Sequence, residues 1–196
     1  MPADGEQRVR DIAHHVRAIM QLLELDLDDP NLSGTPERVA QLATELFASP
    51  ARDSVSGLEK LAWFPNAERY TQMVSVIDVP FYSLCPHHFL PFFGRAHVAY
   101  LPRERIAGIG ELARVVDVYA RRPLLQEQLC EAVVECLASE LKPAGAMVVL
   151  QARHLCMEMR GAQKSGAIVT TSAVRGEFEE RAVRDELWRL VPGGLR

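Results

Sequence analysis

Cys85, His87 and His88 fall within four positions of one another in Ser-Leu-Cys-Pro-His-His-Phe-Leu-Pro (83–91), in a chain that has only four cysteines and six histidines. Thiolate sulfur and imidazole nitrogen are preferred zinc ligands, and a catalytic zinc takes three protein ligands and keeps a fourth position for water. Cys85 and His88 can face one ion if the segment turns tightly, which Pro86 favours. A third ligand has to come from elsewhere, and Ala-Arg-His-Leu-Cys (152–156) offers His154 and Cys156 near the end of an expected strand. Their i, i+2 spacing predicts both side chains on one face of that strand. The plain alternative is that a strand cysteine is a small buried hydrophobe. Cys130 and Cys136 are read that way, Cys136 because it lies on the apolar stripe of a helix and Cys130 because no histidine is near it. His14 and His15 are expected to be solvated, and His97, alternating within a strand, to lie at a surface or interface. Two soft-ligand clusters on separate elements make a shared metal site the better reading of the remainder.

The elements that must position these residues follow from hydrophobic period. At 196 residues, 48% hydrophobic and 24% charged, the chain reads as a single soluble domain, with a helical region over 1–68, a core over 69–178 and a closing helix and tail over 179–196. No apolar run approaches the ~18 residues that span a bilayer, and the opening Met-Pro-Ala-Asp-Gly-Glu lacks a basic and then apolar leader. A cytoplasmic protein without disulfides is therefore expected, with no membrane partner. A net charge of −4 argues against nucleic acid as a partner. It leaves room for an anionic small molecule in a locally basic pocket.

Val9, Ile12, Ala13, Val16, Ile19 and Leu23 recur at helical steps, predicting one buried helix face between Glu6 and Leu25. Thr35 as N-cap and Pro36 at the first turn open a second helix with Val39, Leu42, Ala43, Leu46 and Phe47 on its stripe. Residues 50 to 69 read as a connecting loop. Strands are expected at 73–80 and 94–101, with the Cys-Pro-His-His motif between them. Two helices follow, one on Ile109, Leu112, Ala113, Val116 and Ala120, the other on Leu125, Leu129, Ala132, Val133, Cys136 and Leu137. Strands at 146–155 and 168–174 and a short helix with Val183, Leu187 and Leu190 complete the chain. The order, two helices, then β-β-α-α-β-β, then a tail helix, is an α+β pattern.

The stretches Phe-Tyr-Ser-Leu-Cys-Pro-His-His-Phe-Leu-Pro (81–91) through Leu-Pro at 101–102, Ala-Arg-Val-Val-Asp-Val-Tyr-Ala (113–120) through Leu129, His-Leu-Cys-Met-Glu-Met-Arg-Gly (154–161) and Thr-Thr-Ser-Ala-Val-Arg-Gly-Glu-Phe (170–178) together resemble the signature stretches of GTP cyclohydrolase I, in order and spacing. The resemblance covers about residues 35 to 178. It implies the tunnelling fold, an antiparallel four-stranded sheet backed by two helices, in a homo-oligomer, a decamer of two pentamers. It implies zinc (Zn2+) held by Cys85, His88 and Cys156. His87 is then left for proton chemistry at the purine N7, and His154 becomes a second acid-base group near C8 and the ribose. In that family the zinc ion activates the water that attacks C8 of the guanine of GTP; formate leaves, and the ribose recloses to 7,8-dihydroneopterin triphosphate. Gln126 and Glu127 match the pair that reads the guanine edge, although Glu127 is equally an ordinary first-turn glutamate. Arg38, Arg114 and Arg160 match positions that contact the triphosphate, a task suited to guanidinium forks.

Three departures fall among the phosphate contacts. A serine-lysine pair usual in the family is Gly110 and Glu111 here, and a lysine of the helical region is Gln41. Each missing charge-assisted contact is worth ~1.5–3 kcal/mol, about ten- to a hundredfold in affinity. Arg103, Arg105 or Lys164 can replace them, or the substrate carries fewer phosphates. Two other readings stand beside the cyclohydrolase: an enzyme that stops at a ring-opened pyrimidine, and a non-catalytic nucleotide- or pterin-binding subunit with structural zinc.

Overall fold

The computed structural model describes residues 3–47 and 61–193, in two compact units, Met1–Ala48 and Ser49–Arg196, each taken by itself below. The first is a helical hairpin of α1 (Ala3–Leu22) and α2 (Thr35–Leu46). Thr35 is the first helical residue and Gly34 occupies the cap, one position earlier than expected. The hairpin buries Ala13, Met20, Pro36 and Ala40. Ile19, Leu23, Val39 and Leu42 are exposed, so the stripe predicted as one buried face is buried only in part.

The second unit begins with β1 (Trp63–Pro65), inside the stretch read as loop, and continues with β2 (Val74–Leu84), β3 (Pro91–Leu101) and β4 (Arg105–Ala107). Next come α3 (Ile109–Ala120), α4 (Gln126–Leu141), β5 (Gly145–His154), the four-residue α5 (Leu155–Glu158), β6 (Val169–Gly176) and, after a 3-10 turn at Glu177–Glu179, α6 (Arg181–Leu190). Four strands form one antiparallel sheet in the order β2-β3-β5-β6, while β1 and β4 pair separately. The β-β-α-α-β-β core is the α+β arrangement expected of the tunnelling fold.

Alternation along β3 assigns the faces. Phe92, Ala96, Val98 and Tyr100 join Leu112, Val115, Val116, Leu129, Val133 and Leu137 of α3 and α4 in the main core. Ala99 faces the other way, with Met147, Val149, Phe178, Leu187 and Val191, in a smaller core closed by α6. Helices on one face and α6 on the other explain why β5 reads as a nearly unbroken apolar run, since residues 145–150 are all buried.

Two details set the sheet's shape. Gly94 lies so close to β5 that a Cβ there would sit 1.9 Å from the Gln151 carbonyl oxygen. A bulge interrupts β2 between Val76 and Val79, with Asp78 at φ 61°. His97 braces that bulge: its Nδ1 accepts the Asp78 N–H at 3.2 Å and its Nε2 lies 3.3 Å from Gln151 Oε1. His97 is fully buried, which corrects its expected place at a surface; the bulge supplies a backbone donor that pays for its burial.

Candidate functional site

In an antiparallel sheet β2 and β5 flank β3 and run in the same direction, so their C-terminal ends lie at one end of the sheet. Cys85 directly follows β2 and Cys156 follows β5 by two residues, which is how distant parts of the sequence meet. The turn between β2 and β3 is tight: Cys85 N–H donates to the Leu90 carbonyl at 2.9 Å, and Phe89 N–H donates to the Cys85 carbonyl at 2.8 Å. Phe89 takes a left-handed φ of 53° to close it. His88 is thereby turned back over Cys85, and one ligand atom from each of Cys85, His88 and Cys156 lies within 4.8 Å of the other two.

Cys156 reaches this cluster in a different way from that expected. The strand ends at His154, and Cys156 sits in the helical turn α5, so the two do not share a strand face. The turn is braced by Arg153, whose Nε and terminal nitrogen donate to the two Glu158 carboxylate oxygens at 2.7 and 2.6 Å. That pair holds the Glu158 carboxyl below its ordinary range. Nothing in the sequence marks it, because five-residue spacing belongs to neither helix nor strand.

Two thiols and an imidazole, one buried, one half-buried and one exposed, form a donor set that suits zinc. Burial, then the adjacent Cys85 thiol, pushes the Cys156 thiol above its ordinary range. A dication is the partner that lets neighbouring thiols ionise together. Cys130 and Cys136 are buried in the main core, as expected; burial drives their thiols up to about 12 and about 11.

The two further histidines differ in their partners. His87 Nδ1 lies 3.7 Å from Cys85 Sγ. The His154 ring stacks on Phe92, centroids 4.6 Å apart and planes within 1°, and its Nε2 lies 2.7 Å from Gln126 Oε1. Desolvation lowers the His154 pKa, opposed in part by the charge of Glu127. Phe92 was not anticipated at the site; its alternation marks only a core position.

α4 begins where this end of the sheet does, and its first two residues divide. Glu127 is exposed. Gln126 is 2% exposed, and its amide nitrogen donates to the carbonyls of Leu150 and Val169 and to Thr171 Oγ1. Gln126 is expected, with Glu127, to read a guanine edge; the structure engages the polar atoms of its side chain inside the protein. Arg160 donates to His88 Nε2 at 2.8 Å. Arg114 on α3 lies 3.4 Å from the Glu111 carboxylate. Arg105, offered as a replacement cation, donates to the Glu140 carbonyl. Arg38 belongs to the helical hairpin, where it donates to the Asn31 carbonyl and Thr35 Oγ1. Among the described residues no helix is long and apolar enough to cross a membrane.

Comparison with known proteins gives the scaffold relatives. The family model described as GTP cyclohydrolase I matches residues 12–192. The chain is 44% identical over 182 residues to GTP cyclohydrolase 1 of Clostridioides difficile, covering 92% of this chain and 94% of the relative. It is 44% identical over 178 residues to that of Carboxydothermus hydrogenoformans, covering 90% and 91%, and 41% identical over 180 residues to that of Parabacteroides distasonis, covering 92% and 91%.

Proposed function

The chain belongs to the GTP cyclohydrolase I family, and from that premise we propose that it opens the guanine imidazole ring of GTP at C8 by hydrolysis, releasing formate and forming 7,8-dihydroneopterin triphosphate. The observation that carries this reading is the convergence of Cys85, His88 and Cys156 within 4.8 Å, with His87 Nδ1 3.7 Å from Cys85 Sγ and His154 two residues before Cys156. Cys85, His88 and Cys156 would hold zinc, which supplies a water nucleophile that is potent at neutral pH. His87 and His154 move protons at the purine N7 and near C8 and the ribose. A site whose metal is only structural has no use for two such histidines, which argues against a merely binding subunit.

Glu127, exposed at the first turn of α4, accepts from the N1–H and 2-amino donors of guanine in two parallel hydrogen bonds. Arg160 and Arg114 meet the phosphates. The same reading has the chain working in the cytoplasm as a homo-oligomer, a decamer of two pentamers. The outer edges of β2 and β6, without strand partners among the described residues, support self-association.

One observation favours a second reading. Glu111 sets a carboxylate against Arg114, where the family's usual lysine would add a cation. A substrate with fewer phosphates fits that charge better. Incubating zinc-loaded protein in parallel with GTP, GDP and GMP, following formate and weighing the nucleotide product, separates the readings. Dihydroneopterin triphosphate from GTP supports the first. Preference for GMP replaces it with the second, formate with an unclosed pyrimidine overturns the product proposed in the first, and no formate from any nucleotide removes both.

A further inference from the structure

Gln126 is buried at the N-terminus of α4, and every polar atom of its side chain has a partner. Its amide nitrogen lies 3.1 Å from the Leu150 carbonyl, 3.0 Å from the Val169 carbonyl and 3.0 Å from Thr171 Oγ1. Main-chain carbonyls only accept, so the group facing Leu150 and Val169 has to be the NH2 end of the amide. The usual ambiguity between oxygen and nitrogen in a glutamine is thereby removed by the neighbours. The other end, Oε1, also only accepts, and it lies 2.7 Å from His154 Nε2. Two acceptors do not make a contact that short, so Nε2 carries a proton. The stacked Phe92 ring fixes the plane in which the imidazole turns.

We infer that Gln126 is a positioning residue that holds His154 with a hydrogen on Nε2, and so leaves Nδ1 as the ring nitrogen with a lone pair free of the amide. Strand β5 supplies both the histidine and, four residues earlier, one of the carbonyls that orient the glutamine. β6 supplies the other carbonyl, so the tautomer is written into the pairing of the two strands. Use of this arrangement in catalysis rests on the proton role proposed for His154; the tautomer itself does not.

Nitrogen-15 NMR of ring-labelled histidine tests it without any turnover. With the His154 signals assigned by their loss in His154→Asn, the wild type is expected to show a protonated Nε2 and an unprotonated Nδ1 in its neutral form. The opposite tautomer overturns the inference. In Gln126→Met, which keeps bulk but loses the acceptor, the Nδ1–H fraction of the neutral ring is expected to rise above that of the wild type; an unchanged fraction also overturns it. Should that variant fail to fold, the wild-type spectrum alone decides. In parallel, kcat for formate release is expected to fall about 10- to 100-fold in Gln126→Met, as for other groups that orient a functional histidine, with KM changed by less than about threefold. A raised Nδ1–H fraction with unchanged kcat supports the inference and removes the proton role from His154.

Discussion

Replacing Cys156 by serine removes one of the three candidate ligand atoms and almost nothing else. Its side chain is half-buried against the main core, in a four-residue turn outside the sheet, and the exchange of sulfur for oxygen leaves no cavity. The fold should lose ~1 kcal/mol or less. Metal affinity should lose far more. Holding zinc in a four-ligand protein site is worth ~10–16 kcal/mol at pH 7, so one thiolate accounts for about 2.5–4 kcal/mol. That corresponds to a Kd weaker by ~10²–10³-fold. Competition against a chromophoric chelator measures it directly, and a thermal melt in excess chelator checks that the metal-free fold survives. Cys130→Ser is the control, since that thiol lies 3.2 Å from Thr171 Oγ1 in the core and is no part of the cluster. A Cys156→Ser protein that holds zinc as tightly as the wild type would refute the ligand assignment, whatever its activity.

Glu111→Lys removes a carboxylate from Arg114 and adds a cation beside it; GTP binding should tighten about tenfold or more with a smaller change in kcat, and unchanged or weaker binding would show that residue 111 does not face the phosphates. Gly94→Ala forces a methyl to within 1.9 Å of a backbone oxygen that cannot rotate away; a loss of ~3 kcal/mol should lower Tm by ~6–12 °C, and a melt within ~2 °C of wild type would contradict the close strand approach. Burial, chiefly, depresses the His97 pKa, with Gln151 and Asp78 opposing and Arg95 assisting. The folded protein therefore binds this proton less readily than the unfolded chain, and the stability of neutral His97 is complete above the unfolded value near 6.5 and lost as pH falls below it. Denaturant unfolding at pH 7.5 and pH 5.5 should show a smaller pH-dependent loss in His97→Gln than in wild type, and equal losses would count against the buried, neutral ring.

Long elements with a clear period were legible. Ile109–Ala120 carries its apolar stripe where α3 forms, and the stripe from Leu125 to Leu137 predicts α4 to within a residue of its start. β1 and β4 were not legible, because three-residue strands show no alternation and each depends on a partner far along the chain. The soft-ligand cluster was visible as residue types, but the turn that delivers Cys156 was not. The run from Ala146 to Leu155 reads as strand on paper, and in the structure a helical turn held by the Arg153–Glu158 pair takes over after His154. Gln126 was expected to face a guanine edge, whereas its side chain meets Leu150, Val169, Thr171 and His154, since a sequence cannot say which way the first residue of a helix points.

The contact between Arg160 and His88 has an arithmetic of its own. A neutral imidazole owns a single in-plane lone pair, and on His88 that pair receives the guanidinium through Nε2. An ion bound at Nε2 would take the place of the arginine; an ion bound at Nδ1 would require a hydrogen on Nε2, which then repels it. By either route the seat holds one cation at a time. A newcomer at His88 evicts the resident, and the evicted charge, tethered four residues beyond Cys156, is turned loose beside the site where an anion would meet it.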